Sequence, residues 1–116
     1  MLIKNKEVMR KSAKWMGLWD DRILEWIREN DGMGSASQMR DSDLILVSRS
    51  TISRRLNKMA DHNLLREVGN GMYVITEEGE AYLDEEYNVE TGRYVDRDVA
   101  NGGSDVNSES QTENGV

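Results

Sequence analysis

The chain has 116 residues, with 15 Lys and Arg against 22 Asp and Glu, one His, and no Cys, Pro or Phe. That length allows one compact domain with tails, not a two-domain enzyme or a separate ligand-sensing domain. The lack of Cys excludes disulfides, thiolate metal sites and thiol chemistry, and predicts a cytoplasmic protein. The longest apolar run, residues 44–47, is far short of the ~20 residues that cross a bilayer, and no apolar stretch follows the basic lead, so neither a membrane span nor a signal peptide is expected.

The net charge of −7 is unevenly distributed. Residues 1–60 hold twelve Lys/Arg and eight Asp/Glu, whereas residues 61–116 hold three and fourteen. The first half can therefore face an anion while the second repels one. Arg outnumbers Lys ten to five. Such an acidic, lysine-poor composition resembles that of proteins from salt-loving cells, although an ordinary protein with an acidic tail shares it.

Taken in chain order, residues 1–14 form a basic N-terminal arm, with Lys4, Lys6, Arg10, Lys11 and Lys14 against Glu7. Residues 15–87 carry nearly all the large apolar side chains and form the expected folded unit. Residues 88–116 are read as an acidic, largely disordered tail, charged over 88–98. From Val99 onward it has too little apolar surface to offset the ~1–2 kcal/mol of backbone entropy lost per ordered residue.

In the folded unit, Asp20 reads as the N-cap of a first helix, with Trp19 stapled to Leu24 and a stripe of Ile23, Leu24 and Ile27. Residues 30–34 end that helix. A short second helix follows Ser35, with Ala36 and Met39 turned inward, and residues 44–47 read as a buried connection. Ser48 caps a third helix over residues 49–62, closed by Asn63 in the left-handed conformation. Two strands, 64–68 and 72–75, flank Gly69-Asn70-Gly71, a strong hairpin signal because both turn positions need positive φ. Thr76 then caps a last helix that packs Ala81, Tyr82 and Leu83 on the core.

The third helix carries the chemistry. With Ile52 at 0° and about 100° per residue, Leu56, Met59 and Ala60 share its apolar face, while Ser50, Thr51, Arg54, Asn57 and Lys58 lie on the other side. Arg can grip guanine N7 and O6, Asn can pair with adenine N6 and N7, and hydroxyls can read other edges. Arg49 and Arg55, on the rims, are placed for phosphates. The competing reading is the solvated face of an ordinary amphipathic helix.

Ser35, Ser37 and Gln38 open the second helix, where they can hold a phosphate or simply cap. His62 reads as a helix-dipole partner rather than a ligand or base. The acid pairs Asp20-Asp21 and Glu77-Glu78 read as helix-start charges. With no acid–base pair, nucleophile, metal cluster or phosphate loop, neither enzyme activity nor a cofactor is expected. Met9, Met16 and Ile23 alternate with Ser12, Trp19 and Trp26 at heptad spacing, so an extended N-terminal helix could pair two subunits, against which Gly17 and the two aspartates argue.

A short helix, a connection, a basic helix and a tight hairpin follow the order of a winged helix-turn-helix, mostly α with a small β-hairpin. The wording of residues 47–56 (VSRSTISRRL), 61–65 (DHNLL), 69–76 (GNGMYVIT) and 78–83 (EGEAYL) is similar to the recognition helix, helix exit, wing and closing helix of such regulators. With residues 15–24 (WMGLWDDRIL), the chain resembles the small winged-helix repressors of the haloarchaeal phage phiH repressor family over about residues 15–87.

The resemblance implies a homodimeric transcriptional regulator, a repressor, that binds specific double-stranded DNA in a halophilic archaeon or its virus or plasmid. Arg49, Ser50, Thr51, Arg54 and Arg55 take the recognition-helix role by position. The chain departs from the pattern in a longer connection over residues 38–48 that lacks a glycine, in Asn63 where Gly is usual, and in a wing tip without Lys or Arg, near which Arg66 is the one cation. The alternative is a winged-helix protein–protein module that never reads DNA.

Overall fold

The computed structural model describes residues 9–95. Four helices and five short strands follow in the order α1 (Leu18–Glu29), β1 (Met33–Ser35), α2 (Ala36–Asp41), α3 (Arg49–Asp61), β2 (Leu65–Gly69), β3 (Met72–Ile75), α4 (Glu77–Leu83), β4 (Tyr87–Asn88) and β5 (Arg93–Tyr94). Ile23, Leu24 and Ile27 of α1, Met39 of α2 and Ile52, Leu56 and Met59 of α3 meet Leu64, Leu65, Tyr82 and Leu83 in one buried cluster. These are the positions that helical periodicity turns to one side.

The helix ends follow local chemistry. Ser48 Oγ accepts the Thr51 N–H at 3.1 Å, and Thr76 Oγ1 accepts the Gly79 N–H at 3.0 Å. Asn63 closes the α3 exit at φ 68°, and the wing turn places Asn70 and Gly71 at φ 55° and 76°. These left-handed residues stand where the sequence predicted them. Asp43, at φ 64°, takes the left-handed position in the α2–α3 connection that glycine commonly fills.

Several elements differ from expectation. The first helix is capped three residues before the predicted position: Gly17 is the N-cap, and Asp20 sits at the third helical position, where its Oδ2 accepts the Gly17 N–H at 2.9 Å. The Trp19–Leu24 staple is thereby displaced, since Trp19 already lies inside α1. No helix extends α1 back over residues 9–17, so the heptad spacing there does not build a pairing helix. Met33 and Gly34, read as part of a helix stop, join Ser35 in β1, which pairs antiparallel with β3 and completes a sheet of order β1-β3-β2. Gly34 belongs in β1 because a Cβ there would lie 2.6 Å from the Trp26 ring.

The connection 44–47 is not uniformly buried. Ile45 is 2% exposed and enters the core, whereas its neighbours Leu44 and Leu46 are 67% and 70% exposed. Residues 88–94, read as the start of a tail, fold with Tyr87 into the hairpin β4–β5, in which Tyr87 meets Tyr94 edge-on at 5.0 Å.

The end of the basic arm packs against this hairpin. The Val89 N–H donates to the Lys11 carbonyl at 2.9 Å, and Ala13 is buried. Arg10 donates to the Leu83 carbonyl and to Asp21 and Glu25 at 3.0, 3.2 and 2.7 Å, and the Tyr82 hydroxyl donates to Asp21 at 2.7 Å. Burial disfavours the charge on Arg10, but the Glu25 and Asp21 carboxylates outweigh it and raise its pKa. The predicted disorder from Val99 falls outside the described residues.

Candidate nucleic-acid interface

α3 presents its polar face outward. Ile52, Leu56 and Met59 are buried, and Arg49, Ser50, Ser53, Arg54, Asn57 and Lys58 are exposed, with Thr51 partly so. The only carboxylate on the helix, Asp61, stands at its last position. Ser53, absent from the sequence-predicted set, adds an exposed hydroxyl. It lies at about 100° from Ile52, between the predicted face and the apolar stripe.

The hydroxyls at the start of α3 form a connected group. Ser48 Oγ lies 3.3 Å from Ser50 Oγ and donates to Thr51 Oγ1 at 3.0 Å, and an Arg54 guanidinium N–H donates to the same Thr51 oxygen at 3.3 Å. The guanidinium is thus laid along the helix toward its N-terminus, with its other N–H groups available to a ligand. Arg49 is exposed and makes no hydrogen bond or ion pair among the described residues. The free N–H groups of the first turn add positive potential at this end.

Arg55 is not a free rim cation. Its Nε and Nη2 donate to Asp20 Oδ1 and Oδ2, both at 2.7 Å, and Nη2 also reaches the Trp15 carbonyl at 3.0 Å. Asp20 is 1% exposed and the Arg55 side chain 28%. The hydrogen bonds to Asp20 raise the Arg55 pKa against a smaller opposing cost of burial. This bidentate pair ties α3 to α1, so Arg55 serves the fold at a position that the sequence assigned to phosphate. Periodicity could not find the pair, because its members are 35 residues apart and Asp20 looked like a cap.

Trp15 lies beside this pair. His62 stacks on its ring at 4.2 Å between centroids, and Lys58 Nζ and Arg55 Cζ each lie 5.9 Å from the ring centre. His62 is the C-cap residue of α3 and packs on an aromatic ring. Lys58 therefore leans toward the end of the helix that carries Trp15.

The remaining predicted residues separate by role. Ser35 Oγ accepts the Gln38 N–H at 3.3 Å while Gln38 Oε1 accepts the Ser35 N–H at 3.0 Å, a reciprocal cap that uses both side chains. Ser37 is exposed in the first turn of α2. Arg66 is exposed in β2, where it pairs with Val74; Tyr73, one residue along β3, turns to the opposite face and reaches α3. By strand alternation, Arg66 faces away from α3. Asn57 accepts a hydrogen bond from the Tyr73 hydroxyl at 3.0 Å.

A model of the winged helix-turn-helix phage repressors matches residues 9–93. That span takes in the described end of the basic arm and the β4–β5 hairpin as far as Arg93. The chain is also 55% identical to the crystal structure of the PhiH1 repressor-like protein from Haloarcula marismortui, with a TM-score of 0.72, covering 77% of this chain and 100% of that one. No curated protein matches the chain significantly.

Proposed function

The chain belongs to the family of winged helix-turn-helix phage repressors, and from that membership we propose that it is a transcriptional repressor that binds specific double-stranded DNA as a homodimer in the cytoplasm. α3 enters the major groove. Arg54, Thr51, Ser50 and Asn57 meet base edges, and Arg49 and Lys58 meet phosphates. Ser35, Ser37 and Gln38 stand at a second helix start, where Ser37 is the residue best placed for the backbone. A second copy is required because one helix reads only a few base pairs, and two-fold pairing doubles the site.

The observation that carries this reading is the exposed face of α3, with three cations, three hydroxyls and an amide before its first carboxylate. Selection of bound duplexes from a random pool tests it directly. Enrichment of a two-fold symmetric site with half-sites about one helical turn apart is expected. Retention of no duplex, at either low or multimolar salt, would refute it. The rival reading, a protein–protein module, draws on exposed Leu44 and Leu46. It predicts that wild-type chain captures no duplex at all.

A further inference from the structure

The hydrogen bond between Tyr73 and Asn57 joins the wing to the proposed recognition helix and fixes what Asn57 can offer. The Asn57 amide nitrogen lies 3.4 Å from the Ser53 carbonyl, and its oxygen lies 3.0 Å from the Tyr73 hydroxyl. A main-chain carbonyl can only accept, so the nitrogen must face Ser53 and the oxygen must face Tyr73. Tyr73 is 5% exposed and is anchored from both sides, opposite Gly34 in β1 and Glu67 in β2. Burial, with the nearby Glu67 and Asp61 carboxylates, raises the pKa of its phenol and keeps it a donor.

Bidentate recognition of adenine requires the amide oxygen to accept from N6 and the amide nitrogen to donate to N7 in one plane. In this structure the Tyr73 hydroxyl fills one of the two lone pairs of the oxygen and holds the oxygen side of the amide toward the wing. The nitrogen retains one N–H that no protein atom uses. A single N–H satisfies the N7 of either purine or a phosphate oxygen, and cannot tell adenine from guanine.

We infer that Tyr73 is a positioning residue that latches the wing to α3 and holds the Asn57 amide out of the bidentate pose that reads adenine, leaving its one unused N–H as the group it offers. The inference rests on the DNA-binding reading above. It makes Tyr73, a residue outside the predicted interface, a determinant of base preference. It also limits direct discrimination on this face largely to Arg54 and the hydroxyls of Ser50, Thr51 and Ser53.

The test is selection from a random duplex pool with the full chain, its Tyr73→Phe variant and its Asn57→Ala variant, alongside a thermal melt of each. Wild-type chain should enrich a site in which no position shows an adenine preference that Asn57→Ala removes. The adenine-to-guanine ratio should change by less than about threefold everywhere. Tyr73→Phe frees the amide oxygen and should raise adenine over guanine at one position per half-site by at least about fivefold, the lower range of one good bidentate pair. A hydrogen bond that only stabilised the fold would shift the melt and leave base ratios alone.

An adenine preference in wild type that Asn57→Ala abolishes overturns the latch while leaving DNA binding intact. So does an unchanged base ratio in folded Tyr73→Phe. Asn57→Ala places a good helix former at an exposed helical site, so the comparison survives if Tyr73→Phe does not fold. Enrichment of no sequence by wild-type chain overturns both the latch and the DNA-binding reading.

Discussion

Breaking the Asp20–Arg55 pair separates a structural arginine from a phosphate contact. Arg55→Met leaves the buried Asp20 carboxylate, 1% exposed, with only the Gly17 N–H as partner. Removing one member of a buried pair typically costs about 3–5 kcal/mol. In Asp20→Asn the orphaned charge sits on Arg55, whose side chain is 28% exposed and can recover water. Two charge-assisted hydrogen bonds of about 1.5–3 kcal/mol each are weakened, and hydration returns part, leaving a cost of about 2–3 kcal/mol. Arg55→Met should therefore be the worse variant by about 1–2 kcal/mol on those two ranges.

In a domain of this size, with about 4–8 °C lost per kcal/mol, Arg55→Met should lower Tm by at least about 12 °C. Denaturation followed by tryptophan fluorescence measures it, since Trp15, Trp19 and Trp26 all lie in or beside α1. The double variant Asp20→Leu with Arg55→Met should recover much of the loss, because two apolar residues leave no charge unpaired. If Arg55→Met melts within about 2 °C of wild type and weakens binding to all duplexes alike, the pair is incidental and Arg55 is the phosphate contact that its sequence position indicated; on the scale above, 2 °C is under about 0.5 kcal/mol.

Three further outcomes follow from the same geometry. Arg54→Ala should cost about 1–3 kcal/mol on the selected site and little on random duplex, measured as the ratio of the two Kd values. Ile45→Ala should destabilise by about 2–5 kcal/mol, whereas Leu46→Ser should stay within about 0.5 kcal/mol in denaturant melts, because the two neighbours point to opposite sides. Burial, the Asp21 carboxylate and their shared hydrogen bond raise the Tyr82 pKa above its ordinary value. A tyrosine whose folded pKa is raised contributes stability that is full below the unfolded pKa of about 10 and is lost as pH climbs above it. Stability should thus fall from about pH 10 upward, and Tyr82→Phe should flatten that slope.

What was legible in the sequence was whatever depends on near neighbours. The α3 stripe, its Ser48 cap, the left-handed Asn63 and the Asn70-Gly71 turn each follow from residues within four positions of one another. β1 was not legible, because Met33-Gly34-Ser35 is too short for alternation to show and exists by pairing with β3 some forty residues on. The β4–β5 hairpin depends likewise on Lys11 at the other end of the chain. Asp20 looked like a cap because Asp is a good one, and its role at the third helical position emerged only with Gly17 and Arg55 in place. At α3, residue types predicted which face is polar. Contacts decided which of those groups are available, and they withdrew Arg55 and one edge of Asn57 from solvent.

The charge distribution bears on how such a helix could hold DNA. The Asp20 side chain packs against α3, and Arg55 neutralises it inside the protein. The pair subtracts one cation from the candidate interface and also removes an acid from beside Thr51. Glu77, Glu80, Asp84 and Glu86 gather around Tyr94 on α4 and the terminal hairpin, joined to α3 through α1. In multimolar salt, where the screening length is about 3 Å, that acidic side would not oppose a duplex held at α3. The same salt removes most of the gain from counterion release. Arg49, Arg54 and Lys58 are the exposed cations of α3. If all three met phosphates, the slope of log K against log salt would be about −3 per protomer, at −0.9 for each phosphate. Arg54 on a base instead predicts a slope nearer −2. A titration of the selected duplex across salt reads the difference, and a slope much steeper than −3 would mean that cations beyond α3 carry the binding.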